Sequence, residues 1–228
     1  MKLLYILIFV NCLFTACKGQ TLKVAEFEMA IKSDTVNVLD VRTANEFNTG
    51  HLAKALHADW LNKPEFERRT AFISKEKPLY VYCLSGARSA AAATFLRNKG
   101  YKKVIELNGG ITAWNNAAKP TEGSNSDAKQ MAQIDFDNAI NAKLVLVDVG
   151  ATWCPPCVQM KPIINKLVKA YAASFTLLNV DGGIDKTIVA NLKVEKLPVF
   201  IVYKNGIQLW RKDGVATEKE LKTALGLK

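Results

Sequence analysis

Twice in this chain of 228 residues an apolar, β-branched run ends next to a cysteine and a helix-forming stretch begins at once. Pro78 to Tyr82 leads into Cys83-Leu84-Ser85-Gly86-Ala87-Arg88-Ser89 and an alanine-rich segment from Arg88 to Asn98. Lys143 to Val149 leads through Trp153-Cys154-Pro155-Pro156-Cys157 into a long helical stretch ending at Ala172. A strand that turns directly into a helix is the repeating joint of α/β folds, so the chain reads as α/β. At such a joint a cysteine lies at a helix N-terminus, where free N–H donors and the helix dipole favour a thiolate, and would equally favour a persulfide anion. The first site has a single thiol and the second has two at C-x-x-C spacing.

The texture between them divides the chain. Residues 21–118 alternate strands and helices: helices at Val24–Lys32, Ala44–Asn48, Pro64–Ile73, Arg88–Asn98 and up to Trp114, strands at Thr35–Val41, Pro78–Tyr82 and Lys103–Leu107. That alternation predicts a parallel sheet covered on both faces. Lys119 to Lys129, KPTEGSNSDAK, has no large apolar residue and reads as a linker. Residues 130–228 predict helices at Phe136–Ala142, Pro156–Ala172, Lys186–Leu192 and Thr217–Leu225, with strands at Lys143–Val149, Phe175–Val180, Val199–Tyr203 and Ile207–Arg211. Asn205-Gly206 is a two-residue hairpin turn, because both residues tolerate positive φ, so the second sheet is mixed.

The formal charge of +10 is spread through both halves without a basic run or interleaved aromatics, which argues for a solvated surface and against nucleic acid as a partner. Residues 1–16 carry Lys2 and an apolar run from Leu3 to Phe14, the pattern of a secretory signal. Phe14-Thr15-Ala16-Cys17 resembles the lipobox of bacterial lipoproteins, which implies lipid attachment at Cys17, a membrane contact through that anchor alone, and an exported protein in the cell envelope facing the periplasm. Plain cleavage after Ala16 or near Gly19 is the alternative. Cys83, Cys154 and Cys157 then remain, an odd set that cannot make an even structural disulfide framework. Zinc would need four ligands, and the further candidates Cys83, His51 and His57 fall in the other half, so no metal and no cofactor are expected.

Residues 21–118 resemble the rhodanese family through Asp40-Val41-Arg42, Glu46-Phe47, Gly50-His51-Leu52, the C-x-x-G-x-R-S loop from Cys83 to Ser89, and Leu107-Asn108-Gly109-Gly110 with Trp114. The resemblance implies a sulfurtransferase in which Cys83 takes a sulfane sulfur from a donor, with Leu84, Ser85, Gly86, Ala87, Arg88 and Ser89 forming the substrate loop. Related phosphatases have one more residue between cysteine and arginine, so the shorter loop favours sulfur over phosphate. Leu84 and Ala87 replace the basic residues that many thiosulfate users carry, which points to a less charged donor such as a small persulfide. Asp40, Arg42 and Glu46 are expected to brace the loop as an ion-pair cluster and His51 to fix a turn. Arg88 could bind the donor's anion or pair with an acid.

Residues 127–228 resemble thioredoxin: Asp148 six residues before Cys154, Trp153 before the pair, Pro162 inside the following helix, Leu197-Pro198 at the place of the family's cis-proline, and Gly214 in a late loop. The resemblance implies a redox disulfide between Cys154 and Cys157, proton transfer by Asp148, and substrate contacts from Trp153, Leu197, Pro198 and Gly214. Asp148 as a plain core acid is the rival reading. Proline at 155 replaces the usual glycine and removes an N–H, and Leu177 stands where many thioredoxins have a lysine. A fusion of these two domains suggests that the dithiol reduces either the Cys83 persulfide or disulfides of proteins and small molecules, drawing electrons from a membrane thiol-disulfide transducer. A thioredoxin-type reductase whose first half only binds clients is the alternative.

Overall fold

The computed structural model describes residues 20–123 and 128–228. The signal segment and Cys17 lie outside them. The first domain contains β1 (Gln20–Leu22), α1 (Val24–Ile31), β2 (Asn37–Asp40), α2 (Ala44–Asn48), β3 (Leu56–His57), α3 (Lys63–Thr70), β4 (Leu79–Tyr82), α4 (Ala87–Asn98), β5 (Val104–Leu107) and α5 (Gly110–Asn116). The five strands form an all-parallel sheet in the order β1-β5-β4-β2-β3. Side chains alternate between its faces, as the two-residue period of a strand requires. Leu39, Val41, Leu79, Val81 and Cys83 pack with Phe66, Ala92 and Leu96 on one face, and Val38, Tyr80, Tyr82 and Ile105 pack with Phe27, Phe47 and Trp114 on the other. Cys83 therefore continues the inward face of β4 that α4 covers.

The second domain contains α6 (Gln133–Ile140), β6 (Val145–Gly150), α7 (Pro155–Ala170), β7 (Thr176–Asp181), α8 (Lys186–Asn191), β8 (Val199–Lys204), β9 (Ile207–Asp213) and α9 (Glu218–Ala224). Its sheet runs β7-β6-β8-β9, parallel between β6 and β7 and antiparallel elsewhere, with Asn205 and Gly206 at positive φ in the β8–β9 turn. Val145, Val147, Val149, Val199 and Ile201 face one core, and Leu146, Phe200 and Val202 face another under α7 and α9.

Two details depart from the sequence reading. The first sheet has five strands where the alternation predicts three, because β1 and β3 are too short to carry a period and are defined only by their partners. The start of the polar segment is tied down: Trp114 Nε1 donates to the Pro120 carbonyl at 3.0 Å, Lys119 pairs with Glu28 at 2.8 Å, and His51 and Glu122 exchange backbone hydrogen bonds of 2.8 and 2.7 Å.

Candidate active sites

Cys83 sits where β4 meets α4, its residue 1% exposed. Gly86 holds φ +115 at the N-cap of α4, a conformation that side chains rarely adopt, and its N–H donates to Cys83 Sγ at 3.1 Å. Ser89 Oγ lies 3.5 Å from the sulfur and donates to the Gly86 carbonyl at 2.9 Å. Burial alone would push the Cys83 thiol up, yet hydrogen bonds from Ser89, Gly86 and Ser85 outweigh it and hold the thiol below its ordinary range. The N–H groups can face the sulfur because the loop's carbonyls are engaged from behind. Ile111 N–H donates to Cys83 O at 2.9 Å and Thr112 N–H to Leu84 O at 3.0 Å. Gly110 permits that approach: a Cβ there would lie 2.5 Å from each of those two oxygens, and its φ is +59. Leu84 projects from the loop, 46% exposed.

The loop is braced from α2. Thr43 caps that helix in a reciprocal box, accepting from Glu46 N–H and donating both its own N–H, at 3.0 Å, and its hydroxyl, at 2.8 Å, to Glu46. The carboxylate so fixed takes Arg88 in a fork of 2.6 and 2.7 Å, and that guanidinium above all, with the Thr43 donors, holds Glu46 down to about 2. Of the two roles open to Arg88, pairing with an acid is the one displayed here. Asp40 and Arg42 form a separate buried pair, with Arg42 also donating to Gly50 O at 2.7 Å, which fixes the turn carrying His51. The His51 ring stacks on Phe47 at 3.7 Å.

In the second domain Cys154 and Cys157 are joined as a disulfide. Cys154 is the N-cap of α7. Pro155 and Pro156 remove two of the free donors a helix N-terminus normally offers, leaving the Cys157 N–H, 3.4 Å from Cys154 Sγ. Asp148 on β6 and Cys157 line a common cavity of about 230 Å³ with Gly150, Lys161 and Asn179. The position a Cβ on Gly150 would take is 3.4 Å from Asp148 Oδ1 and 3.7 Å from Cys157 Sγ, so carboxyl and sulfur lie on either side of one small space. Burial raises Asp148 to about 6, with Lys161 opposing the shift. The cation near the acid thus comes from α7. Leu177 pairs with Leu146, and the residue across from Asp148 is Asn179. The Leu197-Pro198 bond is cis, and Gly214 N–H donates to Pro198 O at 2.8 Å.

The structure also brings Arg68 and Arg69, which no sequence motif singles out, to Leu197 and Trp153 of the second domain. His57 N–H, on the outer edge of β3, donates to the Trp153 carbonyl at 2.8 Å, and Arg68 donates to the Leu197 carbonyl at 3.1 Å. Glu65 grips Arg68 and Arg69 together; burial alone would raise its carboxyl, but those two guanidinium groups overcome it and hold Glu65 down to about 2. Arg69 lies 5.4 Å from the Trp153 ring centroid, and Phe47 and His57 meet that ring edge-on at 5.8 and 5.9 Å. The Glu65-x-x-Arg68-Arg69 spacing marks an ion-paired helix face, but nothing local marks it as a contact. Tyr82, Asp40 and His57 stand in register across β4, β2 and β3, with Trp153 one hydrogen bond beyond.

A single thiol in a cradle of N–H donors and a cysteine pair at a helix N-terminus fit a redox and sulfurtransferase-type role. Residues 23–117 match the family model for a rhodanese-like domain and residues 127–226 that for thioredoxin. Thiosulfate sulfurtransferase GlpE of Coxiella burnetii is 35% identical over 101 residues, 44% of this chain and 90% of that protein. Thioredoxin X of Arabidopsis thaliana is 28% identical over 155 residues, 62% of this chain and 85% of its own length. The tRNA uridine(34) hydroxylase of Pelagibacter ubique is 27% identical over 170 residues, 74% of this chain, which spans only 55% of that relative. A crystal structure of a rhodanese-related protein from Thermoplasma volcanium is similar at 28% identity and a TM-score of 0.41, over 46% of this chain and 98% of its own. The chain belongs to the rhodanese family through its first domain and carries a thioredoxin domain in its second.

Proposed function

We propose that this protein reduces sulfane sulfur: Cys83 accepts one sulfur atom as a persulfide, and the Cys154/Cys157 dithiol removes it as hydrosulfide. The observation that most supports this is the Cys83 cradle, which stabilises an anionic sulfur, on the same chain as a dithiol. The Cys83 thiolate attacks the terminal sulfur of a donor persulfide and expels the donor's thiolate. The Cys154 thiolate then attacks that same sulfur; the bond to Cys83 breaks and Cys83 leaves as a stabilised thiolate, the better leaving group. Cys157, deprotonated toward Asp148, attacks Cys154 Sγ, closing the disulfide and expelling hydrosulfide. Two electrons pass from dithiol to sulfane sulfur, so each cycle requires a two-electron reductant, for which a membrane thiol-disulfide transducer is the proposed partner. The charge on Arg88 is matched by Glu46, and Leu84 and Ala87 add none, which favours a weakly charged small persulfide over thiosulfate. Export and a lipid anchor at Cys17 belong to the same proposal, with the protein facing the periplasm.

Cys83 and Cys154 are both buried when the domains are docked, at 1% and 0% exposure, so sulfur passes only after the second domain leaves its seat. Six residues such as 124–129 span at most about 20 Å. The test is a trap. In reduced Cys157→Ser loaded with glutathione persulfide, mass spectrometry should find an added sulfur on the Cys154 peptide or a Cys83–Cys154 link. Sulfur confined to Cys83 would overturn the proposal.

A further inference from the structure

The residues on both sides of Cys154 are taken up by the first domain. Trp153 gives its carbonyl to His57 and its ring to Phe47, His57 and Arg69. Pro155 lines a cleft of about 400 Å³ together with Leu56, Phe72 and Ile73. The Leu197 carbonyl, at the cis bond to Pro198, is occupied by Arg68. Cys154 itself is 0% exposed and packs in the second domain's own core with Cys157 and Leu197. Attack on a disulfide requires an approach to one sulfur along the S–S axis, and an extended client needs free backbone carbonyls next to it to dock against. Neither is on offer in this arrangement.

We infer that the first domain is a tethered lid over the Cys154–Cys157 disulfide: its β3 edge and the Arg68/Arg69 face of α3 occupy the client-binding edge of the thioredoxin domain, and reductants and clients reach Cys154 only when the domains part. The contact is built to open. Among the described residues it rests on two hydrogen bonds and on Trp153, the one residue packed against the cores of both domains, and two clefts, of about 400 and 340 Å³, flank it. Arg68 and Arg69 are held ready by Glu65 within their own helix, so the first domain keeps its face preorganised when open. Closure of this lid requires no sulfur chemistry at Cys83.

Reduction of the oxidised full-length protein by dithiothreitol, followed by alkylation and mass analysis, measures opening without any sulfur donor. The dithiothreitol supplies two electrons and closes to its cyclic disulfide. Arg68→Ala/Arg69→Ala should raise the rate about tenfold, as expected when a charge-assisted hydrogen bond is lost from a two-state closure. A long Gly/Ser insert at residues 124–127, which changes no residue of either face, should also raise it by lowering the effective concentration of the lid. If the double variant is misfolded, the insert decides alone. Wild-type rates in the folded variants would overturn the lid.

Discussion

Cys83→Ala is expected to lower hydrosulfide release from a small persulfide by at least ~10³-fold, because it removes the one group of the first domain placed to form the first sulfur–sulfur bond. The same variant should reduce insulin disulfides at the wild-type rate, since Cys154, Cys157 and Asp148 all belong to the other domain. Alanine fits the site: Cys83 is enclosed by small and aliphatic side chains such as Ala92, Ala93 and Val81, so the substitution removes chemistry with little loss of packing. Assays of both activities on one preparation separate the proposal from a reductase whose first domain only binds clients. In that case hydrosulfide release by the variant would match the wild type.

Asp148→Asn carries the second large effect, and it acts in opposite directions on stability and turnover. In the unfolded chain this carboxyl ionises near 3.8, and in the folded protein burial delays ionisation to about 6. The folded state therefore holds its proton more tightly. The stabilisation is fully present below pH 3.8, is lost as pH rises to about 6, and stays lost at neutral pH. The substituted amide cannot ionise, so the variant should be more stable than wild type by about 2 kcal/mol at pH 7, allowing for the carboxyl's partial contact with solvent, and equal to it near pH 4. Denaturant midpoints at the two pH values test this. Turnover should fall about a hundredfold at pH 7, because the base that takes the Cys157 proton is gone. The wild-type rate should climb through pH 6 while the variant's does not.

The two cysteine sites were legible because everything that builds them is local. Gly86 at a positive φ, the Cys83 and Cys154 joints and the Thr43–Glu46 cap are each set within a few residues. What depended on distant partners was not legible. β1 exists because Gln20–Leu22 pair with Ile105–Leu107, and β3 because Leu56 and His57 pair with Leu39 and Asp40. The contact at the dithiol runs through a backbone N–H of His57 and a guanidinium of Arg68, and neither donor shows its target in the sequence. The thioredoxin resemblance directs attention to Leu177 on β7 for a cation near Asp148, but Lys161 reaches the acid from the helix that follows the cysteines. Lys119 and Glu122 read as linker because their surroundings are polar, yet Glu28 and His51 fasten them to the first domain.

The most direct test of sulfur passing from one site to the other is a single turnover. The fully reduced protein is given one equivalent of glutathione persulfide with no other reductant, and hydrosulfide, Cys83 persulfide and free thiols are counted together. One hydrosulfide per chain, with Cys83 returned to a thiol and Cys154–Cys157 closed as a disulfide, is the predicted result. A stable Cys83 persulfide beside a dithiol that stays reduced would contradict it.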